Sequence, residues 1–160
     1  METTQQRVAY IAPGEGKAVY LVGDTYTFKV VGEETDGRFA LIEGLVPPQA
    51  GPPPHIHHRE DEVFWVLEGE VEFLDTDRTL LAGAGSCLRI PKGTLHRFKN
   101  VGTTPARILF LVTPAGLEKM FEEVGEPATE GSAAPPPRPA DIAKLLAVAP
   151  KYGMEIPAQQ

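Results

Sequence analysis

Two stretches of this chain carry three of its four histidines at spacings that suit a metal site. The first stretch places His55 and His57 two residues apart and Glu62 at the start of the apolar run Glu62–Leu67. Side chains at i and i+2 of a β-strand point to the same face, so both imidazoles can aim at one point. The second stretch contributes His96. Three imidazoles and a carboxylate suit one divalent Mn, Fe, Co, Ni, Cu or Zn ion, and the residues do not decide among these metals.

The two stretches resemble the two signature motifs of the cupin superfamily. The first motif is a glycine, then H-x-H, three or four residues, Glu, six residues and Gly, and it is matched by Gly51, His55, His57, Glu62 and Gly69. The second motif, G-x5-P-x-G-x2-H-x3-N, is matched by Gly85, Pro91, Gly93, His96 and Asn100. Three residues, instead of the family's usual five, separate Gly51 from His55. The resemblance covers residues 37–113 and implies that His55, His57, Glu62 and His96 bind the metal.

Within the superfamily, the chain is similar to small single-domain members (monocupins) of the quercetin-dioxygenase-like group. This resemblance implies a metal-dependent dioxygenase acting on a small aromatic or enolic substrate, in which Glu62 is both a metal ligand and the base that removes the substrate's proton. A cation weakens a carboxylate as a base, so Glu62 would have to loosen from the metal during turnover. Phe64, Phe73 and Phe98 are candidates for lining a flat substrate pocket, and plain core packing is their alternative role.

Two other functions stay open, because one barrel hosts many chemistries. One is an isomerase of a sugar or keto acid, and the other is a non-catalytic, metal-dependent module that binds a small molecule. The runs Phe39–Val46 and Ala106–Thr113 are mainly apolar, which leans weakly against sugars.

The remaining polar neighbours of the motif are predicted to lie outside the ligand set. Glu60 and Asp61 compete with Glu62 as the carboxylate, but the spacing to Gly69 selects Glu62, and we expect the other two at a solvated loop edge. His58 faces away from His55 and His57 by strand parity, which predicts a place at the surface or behind the ligands.

Short strands that recur every 8–12 residues predict an all-β sandwich or barrel. The resemblance narrows this to a cupin double-stranded β-helix, a jelly-roll barrel with one or two C-terminal helices. We expect one barrel domain over residues 1–125, which includes N-terminal strands joined by a Gly23-Asp24 turn and a helix over 114–124. Residues 126–160 are predicted to be a proline-rich connector and a C-terminal helix, capped by Asp141, that packs on the barrel.

Charge and hydropathy exclude several classes of partner. The formal net charge is −7 and the basic residues are scattered, which argues against a nucleic-acid surface. The sequence has neither a run of ~18 apolar residues nor a basic-then-apolar leader, so we expect no membrane partner and a cytoplasmic location. The single cysteine, Cys87, fits a reducing compartment and is predicted to be a packed core thiol.

The strand Glu62–Leu67 is apolar on both faces, which predicts that both faces are covered. Glu62, Phe64 and Val66 should face the lumen. Trp65 and its two neighbours on the outer face, Val63 and Leu67, require cover from a C-terminal helix, an N-terminal strand or a second subunit. We favour a second subunit, and therefore a homodimer.

Overall fold

The computed structural model describes residues 6–158, which form two antiparallel β-sheets packed face to face. The strands are β1 Lys17–Leu21, β2 Asp24–Val30, β3 Ala40–Val46, β4 His55–His57, β5 Asp61–Glu68, β6 Glu70–Asp75, β7 Arg78–Gly83, β8 Cys87–Ile90, β9 Leu95–Asn100, β10 Ala106–Thr113, β11 Glu126–Pro127 and β12 Met154–Glu155. The larger sheet has the order β11-β1-β2-β3-β10-β5-β8, and the smaller has the order β12-β4-β9-β6-β7. The predicted all-β jelly-roll barrel is confirmed.

The core lies between the two sheets, where alternate residues of each strand point inward. In β5 the lumen-facing set Glu62, Phe64 and Val66 is at most 3% exposed, as the alternation predicts. Phe64 stacks on Phe110 of the same sheet at 4.9 Å and meets Phe73 of the opposite sheet at 5.5 Å. These rings join the two sheets around a single apolar interior.

The proline-rich segment before β4 is a loop of the barrel that lies against β9. Gly51 has a φ of 148°, and a Cβ atom on it would lie 2.1 Å from the carbonyl oxygen of Phe98. The loop therefore needs glycine at this point to approach β9, and that approach delivers His55 to the start of β4.

Two α-helices follow the last long strand. The first, α1, spans Leu117–Val124 and ends at Gly125 as predicted, but it begins three residues later than predicted because residues 114–116 form a turn. The second, α2, spans Pro139–Val148. Asp141 lies in its first turn instead of at the cap position, where it accepts a hydrogen bond from the backbone N–H of Arg138.

The C-terminal part of the chain lies against the barrel at three places. The strand β11 pairs with β1, α2 packs on α1, and β12 pairs with β4, the strand that carries His55 and His57. Residues 1–5 and 159–160, which belong to the two predicted segments, lie outside the described residues. Within residues 6–158, no helix is long and apolar enough to span a membrane.

One residue on the outer face of the larger sheet is more exposed than the sequence predicted. Cys87 is exposed, so the prediction of a packed core thiol is wrong. The reason is register, since Cys87 pairs with Trp65 on the outward side of β5, and Trp65 is itself 51% exposed. The C-terminal helix does not cover this surface.

Candidate metal centre

The pairing of β4 with β9 brings the three histidines together. His55 lies directly opposite His96 in this antiparallel pair, and His57 follows on the same face of β4. The ring centroid of His55 lies 4.4 Å from that of His96 and 4.7 Å from that of His57. Each ring can supply one nitrogen such that all three nitrogens lie within 4.8 Å of one another.

Glu62 reaches the same point from the other sheet. It is the second residue of β5, and its side chain crosses the lumen toward the histidines. Its Oε2 lies 2.9 Å from Nε2 of His96, and its Oε1 lies 3.5 Å from Nε2 of His57. All four residues are at most 5% exposed. The structure therefore brings together the four residues that the sequence selected.

The hydrogen bonds of the histidine rings leave their inner nitrogens free. Nδ1 of His55 donates to the carbonyl oxygen of Pro53 at 2.8 Å, and Nδ1 of His96 donates to that of Thr94 at 2.9 Å. A carbonyl can only accept, so these contacts fix the tautomer in which Nε2 carries a lone pair. Metal-binding histidines in proteins are commonly oriented in this way.

Two buried polar atoms at the centre of the cluster lack a partner within the described chain. Nε2 of His96 and Oε2 of Glu62 lie close together but are not aligned for a hydrogen bond, and each is buried without one. Leaving such atoms unpaired is costly, whereas a cation between them would satisfy both. The donor set therefore fits a divalent transition metal ion.

At three of the four residues, the electrostatics favour the protonation state that metal binding needs, and His96 is the exception. Burial, helped by the neighbouring His57 and His96 rings, lowers the pKa of His55 to about 3, and burial also lowers the pKa of His57. Burial alone would raise the pKa of Glu62, but the surrounding imidazoles outweigh it and hold this pKa at about 2. Burial acts to lower the pKa of His96, and its contact with Glu62 raises it overall. Near neutral pH, Glu62 is an anion and the His55 and His57 rings are neutral bases.

Glu60 is not at a solvated loop edge, and that prediction is wrong. It is 4% exposed, and its Oε2 lies 3.8 Å from Nδ1 of His57, behind the candidate ligand. Asp61 is more open and accepts a hydrogen bond from the backbone N–H of Lys92. His58 is half-exposed and contacts Glu155 at 2.7 Å, so it lies at the surface, as parity predicted.

His55, His57 and Glu62 border a small cavity of about 40 Å³. A single water molecule needs roughly 10–15 Å³ of such space, so the cavity has room for about three water molecules. Phe64 and Phe98 line it, whereas Phe73 packs behind them and does not. The other apolar side chains of the lining come from several elements, α1 and α2 among them: Leu21, Val22, Pro52, Phe110, Met120, Phe121, Leu145 and Met154.

Two further polar residues line this cavity, and the sequence analysis missed both. Asp24 and Tyr26 point inward from β2 and are 1% and 3% exposed. The pair Gly23-Asp24 was assigned to a turn, but the turn is formed by Val22 and Gly23, and Asp24 already belongs to the strand. The alternation Asp24, Tyr26, Phe28 on one face was the available signal.

Taken together, the site offers a group of side chains that could hold a cation, an anionic carboxylate and a small, mostly apolar chamber. A bound metal acts as a Lewis acid toward an oxygen of a small molecule. The apolar walls lower the local dielectric constant and so strengthen the electrostatic interactions inside. The volume limits what can bind in the closed state to a few non-hydrogen atoms.

Part of the chain is similar to proteins of a known family. Residues 43–112 match a family model described as "Cupin domain". Germin-like protein subfamily 2 member 1 of Arabidopsis thaliana is 42% identical over 62 residues, which are 36% of this chain and 28% of that protein. The chain thus spans under a third of that relative's length.

Solved structures share the fold. The polyketide cyclase RemF from Streptomyces resistomycificus superposes with a TM-score of 0.59 at 27% identity, covering 67% of this chain and 80% of that one. A sugar phosphate isomerase from Silicibacter pomeroyi, described as a cupin, gives a TM-score of 0.51 at 25% identity and covers 57% of this chain and 59% of that one.

Proposed function

Since residues 43–112 match the cupin domain model, we propose that the protein is a metal-dependent oxidoreductase of the dioxygenase type that acts on a small enolic or phenolic substrate. His55, His57, Glu62 and His96 would hold one divalent transition metal ion. When bound, this metal supplies a Lewis acid that draws in the substrate oxygen and, if it is redox-active, a route for electrons to dioxygen.

The position of three of the four ligands, His55, His57 and Glu62, in the wall of a small, phenylalanine-lined cavity carries this proposal. Phe64, Phe98 and Phe110 present ring faces and edges where a sugar site would need hydrogen-bonding groups. Such walls admit dioxygen and an unsaturated carbon skeleton, and they keep water from quenching reactive species. The helix at 117–124 and the proline-rich tail after it resemble the ending of proteins of the quercetin-dioxygenase-like group, which supports the same chemistry.

The size of the cavity restricts the substrate. A flavonol has several times the volume that about 40 Å³ of space can accept, so binding it would require the lining of α1, α2 or β12 to move. A small enol fits with less rearrangement. We therefore propose a compact enolic substrate in preference to a quercetin-sized one.

Oxygen uptake by metal-loaded protein tests the proposal. Protein reconstituted separately with Mn, Fe, Co, Ni or Cu is offered a graded panel of small enols, catechols and flavonols in an oxygen electrode. We expect substrate-dependent consumption that favours the smaller compounds and disappears with His96→Ala. If no combination of metal and substrate consumes oxygen, the oxygenase assignment is wrong.

The same His96→Ala variant tests the metal site itself. A metal that binds only the folded chain at about 100 times its Kd adds about 2.7 kcal/mol of stability. We expect a chelator to lower the melting temperature of the wild type and to leave that of His96→Ala unchanged. His58→Ala, which removes a surface histidine, should keep the chelator effect. Identical melting curves for the wild type with and without chelator would contradict metal binding.

An isomerase is the second candidate, favoured by the similarity to the sugar phosphate isomerase structure. Isomerisation through an enol needs proton transfer and no oxygen. It would appear in the same panel as substrate conversion without oxygen uptake. Ligand binding that depends on the metal but gives no product would identify a binding module instead.

A further inference from the structure

Asp24 and Tyr26 form an isolated polar pair in the wall of the cavity. The phenol hydroxyl of Tyr26 donates to Oδ2 of Asp24 at 3.0 Å. The other carboxylate oxygen, Oδ1, is buried and has no hydrogen-bond partner among residues 6–158. Burying a carboxylate oxygen without a partner destabilises a fold, so a purely structural role explains this arrangement poorly.

The surroundings fix the pair in position. The ring of Tyr26 lies 4.8 Å from that of Phe121 and meets the edge of Phe110 at 6.0 Å. Gly44 on the adjacent strand leaves room for the ring, since a Cβ atom there would lie 3.3 Å from Cε1 of Tyr26. Asp24 is therefore held by a rigid aromatic support rather than by a mobile loop.

The pair borders the same cavity as three of the four candidate metal ligands. Asp24 and Tyr26 line it together with His55, His57 and Glu62, which come from β4 and β5, and these five are its ionisable groups among the described residues. The neighbouring α1 and α2 contribute only apolar side chains, including Met120 and Leu145. In the larger sheet, β3 and β10 separate β2 from the strand of Glu62, so Asp24 belongs to a different part of the wall.

We propose that Asp24 is a catalytic residue of the proposed reaction, accepting through Oδ1 the proton of the enol or phenol hydroxyl held at the candidate metal centre. This inference rests on the proposed function and gives the proton transfer to a residue other than the ligand Glu62. The substrate O–H bond breaks, the proton bonds to Oδ1, and the electron pair stays on the substrate oxygen as an enolate or phenolate. Tyr26 is the positioning residue, because its hydroxyl holds Oδ2 and so directs Oδ1.

The chemistry of Asp24 suits this role. Burial raises the pKa of Asp24 to about 7, and the hydrogen bond from Tyr26 opposes the rise. A general base works best when its pKa lies near the working pH. Glu62 already contacts two imidazoles, and a bound metal would weaken its carboxylate further as a proton acceptor.

Counting protons on ligand binding tests the inference without relying on turnover. The probe is acetohydroxamic acid, a small chelator that loses its hydroxyl proton when both oxygens bind a metal. Calorimetric titration of metal-loaded protein in buffers of different ionisation enthalpy gives the protons released per bound ligand. At pH about 8, Asp24 is ionised and can accept the proton that the ligand loses, so this proton does not enter the buffer.

We expect Asp24→Asn to release about one more proton per ligand than the wild type at this pH. In the wild type the release should rise by about one proton as the pH falls through about 7, where Asp24 is already protonated. Asp36→Asn, which changes an exposed turn carboxylate, should behave as the wild type does. Equal release by the wild type and Asp24→Asn would overturn the inference and leave the proposed function standing.

Tyr26→Phe provides a second test if Asp24→Asn does not fold. Loss of the phenol hydroxyl removes the hydrogen bond that lowers the pKa of Asp24, so the step in proton release should move to higher pH. A step at the wild-type pH would overturn the inference. Failure of metal-loaded wild type to bind the hydroxamate would instead overturn the proposed function, and the inference with it.

Discussion

Asp24 and Glu62 are two carboxylates in one cavity whose surroundings act in opposite directions. Burial without a cation raises the pKa of Asp24 to about 7, whereas the imidazoles around Glu62 overcome its burial and hold its pKa at about 2. Such a separation is typical of sites where one carboxylate stays charged and the other exchanges protons. In the proposed reaction, the pair divides the roles of ligand and base that the resemblance implies for Glu62 alone.

The raised pKa of Asp24 predicts a pH-dependent stability cost. Below about pH 3.8 the carboxyl group is protonated in both folded and unfolded chains and costs nothing. Between that pH and about 7 the unfolded chain releases the proton and the folded chain keeps it, so stability falls as the pH rises. Asp24→Asn should therefore be more stable than the wild type at pH about 8, by an amount on the order of 4 kcal/mol, and the gain should vanish near pH 4.

Urea unfolding of both metal-free proteins across this pH range measures the difference. Asn can still accept the hydrogen bond from Tyr26, so the comparison isolates the charge. A stability difference that does not vary with pH would contradict a buried, proton-retaining Asp24.

The candidate ligands could be predicted from sequence, and the residues around them could not. His55, His57, Glu62 and His96 were found because strand parity and two spaced motifs place them independently of the rest of the fold. Glu60 and Asp24 were misassigned because their burial depends on long-range packing. Asp24 lines a cavity that residues of α1 and α2 also line, and its neighbours in the sequence do not reveal this.

At the scale of elements, the C-terminal segment closes the cavity of the barrel. Leu145 of α2 and Met154 of β12 both line the cavity, and β12 is hydrogen-bonded to the strand that bears His55 and His57. The strands were predictable from short alternating runs, and the helices from their apolar spacing. The position of α2 over the cavity was not predictable, because it depends on how the long connector crosses the barrel.

Shortening Leu145 should enlarge the range of ligands. Leu145→Ala removes a side chain that is 3% exposed, so it should lower the free energy of unfolding by about 2 kcal/mol or more. It should also raise the affinity of metal-loaded protein for bulkier hydroxamates relative to acetohydroxamate. Leu146→Ala is the matched control, since the adjacent leucine is 49% exposed and lies outside the cavity.

Titration with hydroxamates of increasing size gives the measurement. An unchanged size preference in Leu145→Ala, together with a loss of stability, would indicate that α2 only supports the fold. Equal effects of both substitutions would point to a general loosening of the helix.

At the scale of the whole molecule, the outer face of the larger sheet carries apolar side chains beside the ion pairs of Arg107 with Glu43 and Glu68, and among residues 6–158 some of these apolar side chains stay exposed. Leu45 and Trp65 are 40% and 51% exposed, and the outward residues between them on β10 include Leu109. The C-terminal helices pack at the cavity instead, which removes the cover that competed with a second subunit. Large exposed apolar patches commonly mark interfaces, so we propose a homodimer formed through this face.

Trp65 both tests and reports this dimer, because it is the only tryptophan in the chain. Trp65→Glu places a charge on the proposed interface and should convert the dimer to a monomer in sedimentation equilibrium, with unchanged metal content because the side chain points away from the cavity. In the wild type, the emission of Trp65 should shift to the blue as the protein concentration rises through the dissociation constant. Leu81→Glu, at a 68% exposed apolar position on the smaller sheet, should leave the dimer intact. A wild type that sediments as a monomer at every concentration, with the emission of a solvent-exposed indole, would mean that the barrel works with this face open to water.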